Sequence, residues 1–279
     1  RGPASDPDLD GAALMHPSQA RIDVALSLCG LQTPPGTPAE FLRQAITFAL
    51  TTRCQALHLD ATHPGLRPRE LDRSARRDVA AHLRREGLAF SGLDLWIPPA
   101  HLADNARADR AAGAITAAIT LAADLAKLCP NQAHTMPPTV CIEFPALATP
   151  PGLLDALCTS AATQGVQLAD FGPAAQSRVG TLNTPTPGLG VGVDPAAELL
   201  AGRDPIATPA KLGQCCVAAR LTDANGLGRV PVGTGRLDLP AFRATLSIST
   251  PVRCVVLDLR TLADQATAAA RAISAWQLA

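Results

Sequence analysis

From residue 22 onward, short runs rich in Val, Leu, Ile, Ala and Cys alternate with longer stretches in which apolar residues recur every three or four positions. Compact apolar runs bounded by turn residues read as strands buried on both faces, and the three-to-four spacing reads as amphipathic helix. Strict alternation of the two is the pattern of βα units wound around a parallel sheet. Eight runs qualify as strands: 22–30, 54–60, 88–96, 139–144, 166–171, 189–194, 214–222 and 252–259. Helices are expected over 38–52, 71–86, 105–128, 151–164, 195–202, 205–212, 238–248 and 262–277, with 172–188 reading as loop. Eight strands and a closing helix predict an α/β fold, a single (β/α)8 TIM barrel over 21–279.

Local punctuation supports these boundaries. Arg84-Arg85-Glu86-Gly87 and Thr163-Gln164-Gly165 each end a helix with a glycine suited to the left-handed position after the last turn. Asp238 before Leu239-Pro240 supplies an N-cap carboxylate and a first-turn proline for the helix that follows. Thr184-Pro-Thr-Pro-Gly188 is too short to divide two domains, and no internal repeat interrupts the pattern. Residues 1–20, which lack an initiator Met and an apolar signal core, read as a mobile leader.

Composition narrows the partners. With 279 residues the chain is long for a single domain of roughly 100–200 residues but ordinary for an α/β barrel. The 24 basic and 24 acidic residues cancel, so the electrostatic surplus that holds a phosphate backbone or an anionic bilayer is missing. Nucleic acid and membrane are not expected partners. The most apolar segment, Ala-rich 111–123, is too short to span a bilayer. The eight cysteines form no C-x-x-C pair and lie mostly in apolar runs, which suggests reduced thiols and a cytoplasmic location. Oligomeric state leaves no signature.

In a parallel barrel the loops after the strands converge on one mouth, and the chemistry collects there. Seven of the eight expected strands end on or beside an acid: Asp60, Asp94, Glu143, Asp170, Asp194, Asp223 and Asp258. Crowded carboxylates raise one another's pKa and can move protons or hold a divalent cation. Asp after a strand also caps helices and closes Asx turns, so both readings stay open for each residue. His58 shares a strand face with Asp60. His63, in the next loop, is a weaker candidate, and no histidine follows residue 134, so a metal site from the later strands would be all-carboxylate, suited to Mg or Mn. Glu143, followed by Phe144-Pro145, calls for an Arg partner or a raised pKa.

Arginine is the second theme. Arg67 and Arg69, in the loop after the second strand, have the fork geometry that clamps phosphate or carboxylate. Arg220 lies inside an apolar strand, where a charge must be paired, and is expected to face the carboxylates. Arg260 follows the last strand. Trp96 offers a wall for a sugar ring or simply fills core. In the loop 229–238, Gly233 and Gly235 allow close backbone approach in a region where such barrels often seat phosphate.

The run Val217-Ala-Ala-Arg-Leu-Thr-Asp223, followed by Val230-Pro-Val-Gly-Thr-Gly-Arg-Leu-Asp238, resembles the strand-seven region of the xylose isomerase-like sugar phosphate isomerase/epimerase superfamily. Gly190-Val-Gly-Val-Asp194 is similar to the family's strand six, and Leu57-His-Leu-Asp60 to its strand two. The resemblance spans about residues 22 to 275 and implies a barrel acting on a sugar or sugar phosphate. It also implies a divalent cation held by acids and histidine, and here this chain departs: Asp170, Asp194 and Asp258 remain, but Arg220 stands where the family has a histidine ligand. No tightly held metal is therefore expected, with Arg220 filling the space paired to Asp194 or Asp258 and weak Mg or Mn left open. The expected proton-moving residues are Asp170, Asp194, Asp258 and Glu143. The expected ligand contacts are His58, Asp60, Arg67, Arg69, Asp94, Trp96, Arg220, Asp223, Gly233 and Gly235. The competing reading is a barrel without catalysis, serving as a small-molecule binding or regulatory module.

Overall fold

Each expected strand run contains a strand. They are β1 (Asp23–Ser27), β2 (Ala56–Asp60), β3 (Ala89–Asp94), β4 (Thr139–Ile142), β5 (Gln167–Asp170), β6 (Leu189–Val193) and β7 (Cys216–Leu221). A hairpin of β8 (Asp223–Asn225) and β9 (Gly228–Val230) precedes the last, β10 (Cys254–Leu257). The computed structural model describes residues 21–130, 136–146, 149–178 and 186–279. The leader expected over 1–20 and part of the loop 172–188 lie outside the described residues.

The eight long-range strands close into a parallel barrel in the order β1-β10-β7-β6-β5-β4-β3-β2. Closure runs through β1, whose Leu26 pairs with Leu57 of β2 on one side and Leu257 of β10 on the other. Burial on both faces explains why these strands read as continuous apolar runs: all five residues of β2 are buried. Around the barrel lie α1 (Pro38–Thr51), α2 (Arg73–Arg85), α3 (Ala100–Ala103), α4 (Asn105–Leu128), α5 (Leu153–Thr163), α6 (Ala175–Arg178), α7 (Pro195–Leu200), α8 (Ala207–Leu212), α9 (Leu239–Ser249) and α10 (Gln265–Leu278).

The helix signals act as their chemistry dictates. Thr37 and Glu40 form a reciprocal capping box at the start of α1. Asp238 caps α9 by accepting from the Ala241 amide, with Pro240 in the first turn. Gly87 and Gly165 both adopt φ +69° just beyond their helices. The Ala-rich segment lies within α4, which fills the expected span 105–128, and against the expectation from 111–123 alone this 24-residue helix is long and apolar enough to cross a bilayer. Its apolarity has a local explanation, because Ile115, Ile119, Leu121 and Leu125 are sealed against α2, α5 and β3.

The barrel interior is unusual. Such interiors are normally filled by bulky branched residues, but here Cys141, Ala169 and Ala218 form a separate small cluster. Asp94 pairs in register with Cys141, and Cys141 with Ala169, which places the three on one face. The small residues leave room for a buried polar set that includes His58, Asp94 and Arg220.

Candidate active site

The long side chain of Arg220, on β7, is 1% exposed, and its guanidinium lies 4.9 Å from the Phe171 ring centroid and 5.5 Å from that of Trp96. Two aromatic faces replace part of its lost hydration by cation–π attraction. Nη2 donates to Asp94, and Nη1 lies 3.6 Å from Asp258 without a hydrogen-bond partner. The other Asp94 oxygen accepts from Ser27 Oγ at 2.6 Å. Burial opposes ionisation of Asp94, but the adjacent Arg220 charge outweighs it and holds the carboxyl below its ordinary range.

His58 completes the buried set. The Ser91 hydroxyl donates to the Leu57 carbonyl at 3.1 Å, so its lone pair is available to the His58 Nδ1–H, also at 3.1 Å. Nε2 faces Asp94 at 3.7 Å and has no hydrogen-bond partner. Desolvation pushes the His58 pKa down, which favours the neutral ring despite the nearby carboxylate.

Above Arg220 opens a cavity of about 310 Å³, whose lining includes Trp96, Glu143, Phe171, Asp194, Arg229 and Arg260. Arg260 grips Asp258 through Nε and Nη2 at 2.6–3.0 Å, and its guanidinium stacks 3.9 Å from the Trp96 ring centroid. The hairpin carries Arg229 over the mouth, where Nη2 donates to Asp194 and Nη1 donates to Asp258 at 3.3 Å. Asp258 therefore sits among three guanidinium groups. Burial alone would raise its pKa, but Arg220, Arg260 and Arg229 together hold it at about 2.

The remaining aspartates hold backbone. Asp194 caps α7 and accepts from Thr222 Oγ1 at 2.6 Å. Asp170 accepts from the Phe144 and Gly172 amides and from Arg178, so its carboxylate braces loops. Asp60 closes an Asx turn onto Thr62. Asp223 accepts four backbone N–H bonds, from Ala224, Gly233, Gly235 and Leu237, at 2.8–3.1 Å. A Cβ on Gly235 would stand 2.2 Å from the Asp223 carboxylate, so this wrap requires glycine there.

Of the expected site residues, the cavity brings together Trp96, Glu143, Asp194 and Arg220, with Asp94 and Asp258 paired to Arg220. Arg67 and Arg69 do not join them: Arg67 bonds the Thr62 carbonyl and Glu70, and exposed Arg69 also faces Glu70. His63 stacks on Phe41 with centroids 3.8 Å apart. Glu143 has no hydrogen bond or ion pair among the described residues, and so differs from the other acids of the cavity. Arg229 and Phe171 escaped the sequence reading. The turn-forming Asn225-Gly-Leu-Gly228 is the signal that would have exposed the hairpin.

The divalent cation implied by the resemblance does not fit these residues. Asp170, Asp194 and Asp258 each already hold an arginine, and the Arg220 guanidinium occupies the fourth position with a permanent charge. A second trio, His58, Asp94 and Cys141, brings potential ligand atoms within 4.8 Å of one another. It is a poor donor set, because Asp94 is saturated by Arg220 and Ser27 and burial pushes the Cys141 thiol up to about 12.

No protein-family model matches the sequence, and no curated protein does. Solved structures do match in fold. A xylose isomerase domain protein from Planctomyces limnophilus is 17% identical with a TM-score of 0.67, over 92% of this chain and 95% of that one. A D-allulose 3-epimerase from Methylomonas sp., solved in complex with D-allulose, is 13% identical with a TM-score of 0.65, over 92% and 97%. The probable 3-DHS dehydratase AsbF from Bacillus anthracis, involved in petrobactin synthesis, is 10% identical with a TM-score of 0.68, over 92% and 99%. The chain thus shares the barrel fold of xylose isomerase-like proteins.

Proposed function

We propose that this barrel is an isomerase- or epimerase-like protein that binds a small polyhydroxylated molecule, a sugar or sugar phosphate, in the mouth cavity, with Glu143 as the group that moves a proton. The observation that carries the reading is the contrast between Glu143, unpartnered at the cavity wall, and the arginine-bound Asp94, Asp194 and Asp258. A general base must exchange its proton near the working pH. Asp258, held at about 2, is a poor one, and Asp170 is engaged in bracing loops.

The chemistry balances without a redox partner. The Glu143 carboxylate takes a proton from the carbon beside the ligand carbonyl, and the electron pair moves onto the carbonyl oxygen. Unengaged guanidinium N–H groups stabilise that oxyanion, the part a Lewis acid plays elsewhere. Protonation of the same carbon from its opposite face, by solvent, gives an epimer. Transfer of the adjacent hydroxyl proton to the oxyanion, with return of the Glu143 proton to the former carbonyl carbon, gives an isomer.

The test is proton exchange. Incubated in D2O with a panel of aldoses, ketoses and their phosphates, the protein should incorporate deuterium beside the carbonyl of one of them. Glu143→Gln should abolish incorporation while binding survives. A second reading, a binding module without turnover, draws on the neutralisation of the other mouth acids by arginine. Ligand binding with no deuterium incorporation would favour that module.

A further inference from the structure

We infer that the mouth is a charge filter: internal carboxylates occupy most of its oxyanion-binding donors, so it selects an uncharged polyol over the phosphate ester of the same polyol, with Asp194 the residue that sets the selectivity. The inference rests on the mouth being a polyhydroxyl site and narrows that reading to one ligand class.

Two features would ordinarily bind a phosphate here; the first is filled from within and the second is largely neutralised from within. The first is the glycine loop after β9. Amides aimed inward from a tight loop make an anion nest, but those of Gly233, Gly235 and Leu237 converge on the Asp223 carboxylate at 2.9–3.1 Å. Asp223 is 1% exposed and is part of the chain, so no solute displaces it without unwrapping the loop. The second is the arginine group. Arg260 is held in the fork of Asp258, Arg229 bridges Asp194 and Asp258, and Arg220 is bound to Asp94.

The charges of this group decide what can enter. Arg220, Arg229 and Arg260 are matched by Asp94, Asp194 and Asp258, and Glu143 adds one unmatched negative charge. A phosphate dianion would enter a mouth that is already formally negative, and like charges brought together in a partly dry cavity repel strongly. A hydroxyl group meets no such barrier. It accepts from one donor and donates to an acceptor at once, and the mouth offers both kinds. Arg220 Nη1 and Trp96 Nε1 are buried donors without a partner, and Glu143 is an acceptor without one. A phosphate ester group at neutral pH has little proton to give to Glu143.

Asp194 is the adjustable member. Asp94 and Asp258 are sealed, whereas Asp194 lines the open cavity and pairs with the partly exposed Arg229. An amide in its place keeps an oxygen for Thr222 and for the α7 amides but removes the charge that occupies Arg229.

Calorimetric titration of the wild-type protein with D-fructose, D-fructose 6-phosphate and inorganic phosphate tests this directly. A free ketose should bind at least about tenfold more tightly than its phosphate, a gap of about 1.4 kcal/mol, and inorganic phosphate should not compete. In Asp194→Asn the gap should close or invert and inorganic phosphate should become a competitor. The double variant Asp194→Asn/Arg229→Met should lose that gained competition. Melting curves check that each variant is folded. Equal or tighter binding of the phosphate ester by wild type overturns the filter while leaving the polyhydroxyl site standing, as does an unchanged preference in folded Asp194→Asn. Failure of both the ketose and its phosphate to bind wild type overturns the site itself and the filter with it.

Discussion

Arg220 on β7 and Asp94 on β3 form an ion pair across the barrel, 126 residues apart in sequence and sealed from solvent on both sides. Neither residue is tolerable there alone. A buried guanidinium without a carboxylate, or the reverse, carries a desolvation penalty that its mutual attraction otherwise offsets.

Arg220→Met should therefore destabilise the protein by about 3–5 kcal/mol, because it leaves Asp94 charged and unpaired. The double change Arg220→Met/Asp94→Asn should recover a large part of that loss, since the stranded charge is gone. Urea denaturation of the four proteins of this cycle gives the coupling, and additive effects would show that the pair is not coupled.

Acid should weaken the fold as pH falls below the ordinary carboxylate range and Asp258 is forced to take a proton. The Asp258 pKa is about 2 in the folded barrel against 3.8 for the ordinary group, so its contribution is fully present above pH 4 and is lost as pH falls toward 2. That shift corresponds to about 2 kcal/mol. Stability measured between pH 6 and pH 2 should fall through this window, and Asp258→Asn should flatten the fall. An Asn variant as acid-sensitive as wild type would contradict the assignment.

Gly192→Ala tests the packing over Arg220. The added Cβ would stand 2.2–2.5 Å from ring atoms of Phe171, the ring that covers the guanidinium. Overpacking of this kind costs about 1–3 kcal/mol, and the ring must swing away. Phe171→Leu in the same chain should restore much of the stability. If Gly192→Ala melts with wild type, the ring is not held against that backbone.

Metal content tests the guanidinium substitution. Purified protein should hold well under one equivalent of transition metal by elemental analysis, and a chelator should leave its melting temperature unchanged. Arg220→His should gain measurable Mn or Mg binding if Asp194 and Asp258 remain positioned as ligands. Stoichiometric metal that survives dialysis of the wild type would refute the reading.

The residue pattern alone determined the barrel. Eight apolar runs at helix-separated intervals give eight strands because backbone pairing and burial on both faces demand that pattern locally. The caps at Thr37 and Asp238 and the helix-ending turns at Gly87 and Gly165 are equally local. It also determined that Arg220, a charge in an apolar strand, needs a buried partner. It pointed to Asp194 or Asp258, whereas the hydrogen-bonded partner is Asp94, with Asp258 at 3.6 Å and Asp194 taken by Arg229, because the seven strand-end acids share one local signature. Only barrel closure decided that Asp170 receives the Phe144 amide from the neighbouring strand end, that Arg229 reaches Asp194 and Asp258, and that Glu143 is left facing the cavity. A carboxylate's role depends on the charges and donors within a few ångströms of it, and those arrive from strands far away in sequence, whereas a strand is set by its own residues and its turns.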